Sequence, residues 1–467
     1  MKITLIVVFL LFSSSTLSSE LPIKLSGTIE ISVKNGTIDA NFQLKNIPKL
    51  NNYLIHLNSG FNIQYFRNEK DGFNYTQEKA YNTQYSEESF GYFFRNDITK
   101  EKFLPDTIQF KYTGKFPVIT DMNKASDRGD WKGNIAFNGR NIRTDGFQTA
   151  WYPILYDIEQ DKRYDEVAYD IEVTCLDCKS IYVNGSKPIS STHGIFESDK
   201  PMSLTLFAGD YNIGKYKKNY YLNSRLTTQQ MSELGKMTAT FEKYYQDKLS
   251  IPYGESVVFI HTTPTSKKDS WMFVAYPSIV LMNHNEGGLS NLIEKTESND
   301  YKTLIAHELG HYYFGTYKKF NSELGDMFTE SFADYLSLKL TKDLLGDKAY
   351  FRNINDKFNA LDNMKMTGLK NIKENSDYGD RGLYVYVYAP LIWLAIEKEI
   401  GKDKMWLWLN KMLTVETEQT NYKFMIETLS SVLNDENKLA FLVENYFSNE
   451  NAINRAKILL KETINNT

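Results

Sequence analysis

The 467-residue sequence predicts an α+β protein of more than one domain, with an antiparallel β domain over residues 20–222 followed by a mostly helical domain over 223–467. Three observations predict it. From Leu21 to about Leu222, apolar and polar residues alternate with period 2, and turn dipeptides interrupt the runs. After Asn223 the apolar residues recur at helical spacing. A hydrophobic fraction of 42% with 14% aromatics, including 32 Tyr and 28 Phe, is ample for sizeable cores and excludes a disordered chain. Lys and Arg total 54 against 58 Asp and Glu, a net charge of −4. So balanced a chain gives no electrostatic reason to expect a nucleic-acid or anionic-membrane partner.

Residues 1–19 read as a signal peptide. Lys2 precedes an apolar run from Ile3 to Phe12, and small polar residues follow from Ser13 to Ser19. The run is too short to span a bilayer. The expected product is exported, periplasmic or extracellular, without stable membrane insertion once the segment is cleaved.

In the β half, Ile29, Ile31 and Val33 alternate with polar residues up to Asn35-Gly36, and Ile38, Ala40, Phe42 and Leu44 alternate after it. Two such runs around Asn-Gly predict a hairpin. The pattern returns at Ile108–Tyr112, at Val167–Val173, at Ile181 and Val183 before Asn184-Gly185, and from Met202 to Gly209. Residues 68–106 are polar and aromatic with weak periodicity, and long loops are expected there. The two cysteines, Cys175 and Cys178, cannot fill a tetrahedral zinc site by themselves. Strand-like residues flank them where a thioredoxin-like motif should open a helix, so in an oxidising compartment a local turn disulfide is expected.

In the second half, Met231, Leu234, Met237, Phe241 and Tyr244 predict a helix over 226–249. Short strands are expected over 256–262 and 273–282, with Pro277 marking an edge or a bulge in the latter. From Tyr301 onward the pattern is mostly helical, with stops at Gly315, Gly346 and Gly401.

One helical segment carries the chemistry. Thr303 to Phe314 contains His307-Glu308-Leu-Gly-His311, with Asn299 or Asp300 ahead of it as a cap. Positions i and i+4 share a helix face, so both imidazoles can reach one ion. Zinc suits neutral imidazole and needs a third protein ligand, leaving the fourth position to water. Glu308, about 100° round the helix from His307, can face that water as a general base. Eighteen residues separate His311 from Glu330, and a helix, loop and return helix can bring that carboxylate alongside. Asp334 lies one turn beyond Glu330, placed to accept the spare N–H of a ligand histidine. The predicted centre is one zinc ion per chain on His307, His311 and Glu330, with Asp334 behind it.

Here the chain resembles the gluzincin metallopeptidases, specifically the aminopeptidase N-like group, and is similar to its glycyl aminopeptidase-like relatives. The matching residues are Ala306-His-Glu-Leu-Gly-His, Phe314-Gly315 and Thr329-Glu330-Ser331-Phe332-Ala333-Asp334-Tyr335. Val183-Asn184-Gly185, Leu206 to Asp210 and Tyr244 to Tyr253 resemble flanking parts of the family. The resemblance implies a thermolysin-like, mostly helical zincin domain after the β domain, with a short helical C-terminus. It implies hydrolysis of peptide bonds in peptide or protein substrates by a zinc-activated water. It also implies an oxyanion-stabilising tyrosine, and Tyr386 fits that frame, with Pro390 suited to a first helical turn.

Two departures bear on substrate choice. Ala275 stands where the family has a glutamate that binds the free amine, and Glu286 is the nearest acid in sequence. The large helical-repeat domain of long members is expected to be absent or reduced to a stub. An exported aminopeptidase is the leading expectation. An endopeptidase or specialised oligopeptidase lacking free-amine selection is the alternative. A non-catalytic, zinc-stabilised binding protein is a third reading, for which His284 is the only nearby candidate for a fourth ligand.

Overall fold

A computed structural model describes residues 21–70, 72–80, 89–121, 123, 135–145, 149–254, 256–262, 271–282, 288–294, 299–361 and 365–465. The expected signal peptide, Glu286 and His284 lie outside the described residues. No described helix is long and apolar enough to cross a membrane.

The first half is built of sheets. Lys24–Ser32 and Thr37–Lys45 form the expected antiparallel hairpin across Asn35-Gly36. In Thr37–Lys45 and its neighbour Thr107–Lys115, burial alternates residue by residue, and Phe42 stands opposite Phe110 and Leu44 opposite Ile108. Alternation of this kind presents one face to the core and fixes the register, since a slip of one residue would turn every apolar side chain outward. These strands join Phe61–Arg67, Glu166–Cys175 and His193–Ser203 in one sheet. The sheet is not wholly antiparallel, because Lys24–Ser32 pairs parallel with Glu166–Cys175.

The stretch over 68–106 departs from the loops expected of it. Gln77–Ala80, Ser89–Arg95 and Lys102–Phe103 are strands of a second sheet, with Tyr53–Asn58 and Ile154–Asp157. The reason is the aromatic run Ser-Phe-Gly-Tyr-Phe-Phe in Ser89–Arg95, which is half-buried on both faces and so shows no period 2. Phe66, Tyr75, Phe94 and Phe103 meet there with ring centroids 5.1–6.0 Å apart, within the range where aromatic pairs attract. Cys175 and Cys178 are joined in a disulfide. Between them Asp177 accepts from Val33 N–H and Ser32 Oγ–H, at 2.7 Å each, and so ties the first hairpin's turn to this corner.

A third small sheet, containing Ser180–Val183 and Thr205–Gly209, packs on the sheet of the second half. That last sheet runs in the order Ile213–Tyr216, Asn219–Leu222, Val258–Thr262, Ser278–Met282, Trp271–Ala275. Its hydrogen bonding therefore extends back across residue 222 to Ile213. The single strand expected over 273–282 is two, Trp271–Ala275 and Ser278–Met282, joined by a tight turn at Tyr276-Pro277. Proline cannot donate to a ladder, so it sits in the turn. Asn184 holds this turn in place. Its Nδ2 donates to Tyr276 O at 2.6 Å, and Ser278 Oγ donates to its Oδ1 at 2.6 Å.

Helices follow: α1 (Thr228–Leu249), α2 (Leu289–Glu294), α3 (Asp300–Gly310), α4 (Gly325–Leu340), α5 (Asp347–Ala360), α6 (Ala389–Ile400), α7 (Lys402–Thr414), α8 (Tyr422–Leu433), α9 (Glu436–Leu442) and α10 (Ala452–Asn465). Helix α1 opens on a capping box in which Thr227 and Gln230 satisfy each other's backbone N–H. The last helices pack back on α6 through Glu399, which takes Lys438, Arg455 and the Tyr446 hydroxyl.

Candidate metal centre

Helices α3 and α4 lie close because small residues face each other where they pack. A Cβ placed on Gly310 would come 3.2 Å from Ala333 Cα, tighter than an ordinary contact. Gly310 lies inside the His-Glu-x-x-His run and Ala333 stands between Glu330 and Asp334, so the close approach sets the separation of the ligand-bearing backbones. The apolar faces of α4 and α6 add a stack: the Phe332 ring lies 4.7 Å from Trp393, with 17° between their planes. Trp393 Nε1–H donates to Ser331 Oγ at 2.8 Å, beside Glu330. Helix α3 ends at His311, whose N–H bonds His307 O. Asn299 occupies the N-cap position without a side-chain cap bond; its Nδ2 donates to Leu345 O instead.

Three donor atoms converge. His307 Nε2 and His311 Nε2 are 3.1 Å apart, and Glu330 Oε2 lies 3.5 Å from the first and 3.3 Å from the second. Donors about 2.0–2.2 Å from a tetrahedral ion stand roughly 3.3–3.6 Å from one another, so the spacing fits a zinc-sized ion. The chemistry of the set fits as well. His311 Nδ1–H donates to Phe314 O at 3.2 Å, which fixes the tautomer that leaves Nε2 free to ligate. Among the described residues one other group of potential ligands clusters, Cys175, Asp177 and Cys178. Its thiols are spent in the disulfide and its carboxylate on backbone N–H groups.

The electrostatics follow from burial and proximity. Burial alone would raise the Glu330 carboxyl, but the two imidazoles hold it well below the usual range. Burial opposes charge on His311, yet Glu330 and Glu308 raise it to about 9. A metal entering here must therefore displace a proton. Glu308 is buried, and burial is the main reason that its carboxyl is raised; Glu330 adds to the effect, while His307 and His311 oppose it. A carboxyl shifted upward is a better proton acceptor near neutral pH than an ordinary glutamate.

Asp334 stands on the α4 face behind His307. Its Oδ1 is 3.8 Å from His307 Nδ1, and its Oδ2 is 2.7 Å from Lys357 Nζ on α5. Asp326, Glu330 and Asp334 share one face of α4 at four-residue spacing, and each acid has a cation. Arg381 donates to Asp326 through Nε and Nη2, at 2.7 and 2.6 Å, and its Nη2 lies 3.6 Å from Glu330 Oε1. Sequence reasoning missed Lys357 and Arg381, which come from segments 27 and 51 residues beyond Glu330 and carry no local motif.

Tyr386 borders the same site. Its ring centroid is 6.1 Å from that of His307, and the Arg381 guanidinium lies 5.6 Å above it. Neighbouring tyrosines do something else: Tyr378, Tyr384 and Tyr388 are buried in the core, and Tyr378 and Tyr384 donate to Glu323 O and Thr367 O. Burial, then the Glu330 carboxylate, pushes the Tyr386 phenol upward, so it stays protonated and able to donate. Helix α6 has Pro390 in its first turn, as expected, and the segment Tyr384–Tyr388 ahead of it is a π-helical turn. Pro390 explains it, since a proline ring clashes with the carbonyl four residues back and a wider turn relieves the contact. Ala275 ends the edge strand Trp271–Ala275, beside the Tyr276-Pro277 turn. The Tyr276 ring there lies 4.9 Å from that of Tyr312, the residue after His311.

A β domain followed by a helical domain, with two histidines of one helix and a glutamate of the next on one ion-sized space, is the arrangement that the resemblance to the gluzincin metallopeptidases implies. The chain shares its fold with solved structures of this kind. An M1 zinc metallopeptidase from Deinococcus radiodurans, a mutant bound to a Tyr-Ser-Ala substrate, matches with TM-score 0.61 and 13% identity over 92% of this chain and 94% of that one. A further structure of M1 zinc metallopeptidase from the same organism matches with TM-score 0.60 and 12% identity, over 92% and 93%. Yeast LTA4 hydrolase matches with TM-score 0.59 and 15% identity over 90% of this chain, which spans 66% of that longer protein. No protein-family model matches the sequence, and no curated protein sequence matches it.

Proposed function

We propose that this chain is a zinc-dependent hydrolase of peptide bonds. The observation that carries the reading is the convergence of His307 Nε2, His311 Nε2 and Glu330 Oε2 at 3.1–3.5 Å beside the buried Glu308. Zinc bound there supplies Lewis acidity toward a scissile carbonyl and lowers the pKa of a water. The chain's own residues do the rest. Glu308 takes the proton of the attacking water and returns it to the leaving amine. Tyr386, protonated and 6.1 Å from His307 between ring centroids, donates toward the oxygen that gains charge. His311 is held to one tautomer by Phe314 O, and Glu330 offers one oxygen to the ion while Arg381 attends the other.

An aminopeptidase is the leading reading on the family resemblance, supported by the shared fold. The absence of a carboxylate at Ala275 favours a second: cleavage without selection for a free amine. Hydrolysis of matched peptides with free and N-acetylated termini, with and without a chelator, separates the readings. Chelator-sensitive cleavage of free-amine peptides alone supports the first. Equal cleavage of blocked peptides supports the second. An absence of cleavage by the zinc-loaded chain would overturn both and leave a zinc-stabilised binding protein. Export through the segment 1–19, with release to the periplasm or exterior, belongs to this proposal. Its test is the N-terminal sequence of protein recovered outside the cytoplasm, which should begin near residue 20.

A further inference from the structure

The geometry points to Lys357 as a positioning residue that sets both the metal ligand His307 and the tyrosine Tyr386 from a single ammonium group. Three contacts carry it. His307 Nδ1 faces Asp334 Oδ1 at 3.8 Å, Asp334 Oδ2 meets Lys357 Nζ at 2.7 Å, and Lys357 Nζ donates to the Tyr386 main-chain carbonyl at 2.5 Å. The ammonium and the Asp334 carboxylate are both largely buried, at 14% and 15% side-chain exposure, so the pair is shielded from the solvent that weakens surface ion pairs.

The second bond has an independent origin in the sequence. An α-helix through Tyr386 would give its carbonyl the N–H of residue 390, but that residue is Pro390, which has none. Proline thus removes the regular partner of this carbonyl and opens the π-helical turn Tyr384–Tyr388, and Lys357 reaches across from α5 to supply a donor. One lysine then joins three elements: the metal helix α3 through Asp334 and His307, the ligand helix α4 through Asp334, and the tyrosine turn. The Tyr386 ring also packs under the Arg381 guanidinium, 5.6 Å from its centroid. The distance between the metal ligands and the phenol therefore depends on a group that touches neither the ion nor the reacting atoms. Asp334 stands from His307 Nδ1 at an ion-pair distance, beyond hydrogen-bond reach, so its effect on the metal belongs at the lower end of the about 10–100-fold typical of groups behind a metal ligand.

This role rests on the proposed hydrolysis for its kinetic arm alone. The test uses the full chain, with zinc affinity measured by competition with a chromophoric chelator and kcat and KM measured on a peptide substrate. Lys357→Met is expected to weaken zinc roughly 10-fold or more and to lower kcat about 10–100-fold with KM changed less than about 3-fold. In a Tyr386→Phe background the kcat loss from Lys357→Met should shrink below about 3-fold while the zinc loss persists. Lys357→Arg, which keeps a cation in reach of Asp334, should recover most of the zinc affinity. Asp334→Asn combined with Lys357→Met leaves no lone buried charge, folds if the single variant does not, and should bind zinc as weakly as Asp334→Asn alone. Wild-type zinc affinity in Lys357→Met, or an equal kcat loss in both tyrosine backgrounds, overturns the role. A wild-type chain that hydrolyses no peptide instead rejects the proposed function, and the zinc-affinity arm then decides on Lys357 alone.

Discussion

Removing Lys339 tests how the ligand helix is held. Lys339 Nζ sits 2.8 Å from Glu397 Oε1, and Tyr335 donates its hydroxyl to Glu397 Oε2 at 2.6 Å. The two charged side chains are 4% and 6% exposed. The three residues join α4, which carries Glu330, to α6, which follows Tyr386. Lys339→Met keeps the aliphatic stem and deletes the charge, leaving the Glu397 carboxylate buried with a phenol as its remaining partner. Breaking a buried pair from one side costs about 3–5 kcal/mol. With each kcal/mol moving the midpoint of a domain this size by roughly 2–4 °C, thermal unfolding should shift downward by roughly 6–20 °C. The double variant Lys339→Met with Glu397→Gln removes both charges and keeps an acceptor for Tyr335. It is expected to recover to within about 2 kcal/mol of the wild type, because desolvation offsets much of a buried pair's attraction. Urea unfolding followed by tryptophan fluorescence reports on this core, where Trp393 and Trp408 are fully buried. A single variant within about 1 kcal/mol of the wild type, or a double variant as unstable as the two singles summed, would refute the reasoning.

Other perturbations have equally defined outcomes. Lys319, in the loop between α3 and α4, meets Asp165 at 2.6 Å and Glu166 at 3.3 Å on the β half. Lys319→Met leaves Asp165 buried with less compensation and should cost about 1–3 kcal/mol in urea unfolding; an unchanged midpoint contradicts the anchoring role of this contact. His56 is buried, and burial followed by Arg163 lowers it from 6.5 to about 4. Its neutral form therefore contributes stability that is complete above pH 6.5 and lost as pH falls through 4. Between pH 7 and 4 the loss attributable to this ring is about 3 kcal/mol, and His56→Phe should lose that much less over the same range. Metal removal should abolish any hydrolysis and lower the unfolding midpoint, through a loss of about 2.7 kcal/mol in stability where free zinc stands at 100 times its dissociation constant. Re-addition of zinc should restore both, and a midpoint indifferent to chelation contradicts a site built into the fold.

Legibility followed the range of the interactions. Asn35-Gly36 between two period-2 runs was enough for the first hairpin, and the i, i+4 spacing of His307 and His311 was enough to place both rings toward one ion, since both rest on neighbours in sequence. Glu330 was legible because it repeats a known spacing, and Asp334 because it lies one turn beyond. The strand Ser89–Arg95 was not, since aromatic residues half-buried on both faces erase the alternation. The hairpin at Tyr276-Pro277 read as one strand because its two arms are equally apolar. Pro390 stands in the first turn of α6 as expected, but its second effect, the π-helical turn four residues upstream that carries Tyr386, has no signature in the residues around Tyr386. Lys357 and Arg381 are ordinary cations until the fold brings α5 and the Tyr386 segment against α4. Long-range pairing of that kind leaves no local signature.

Zinc K-edge absorption on the purified, zinc-loaded chain tests the central claim most directly. Two imidazole nitrogens and one carboxylate oxygen at about 2.0–2.2 Å, completed by a light solvent atom and lost in Glu330→Ala, are the predicted shell. A sulfur shell at about 2.3 Å, or a spectrum unaltered by Glu330→Ala, would place the ion elsewhere and contradict the account.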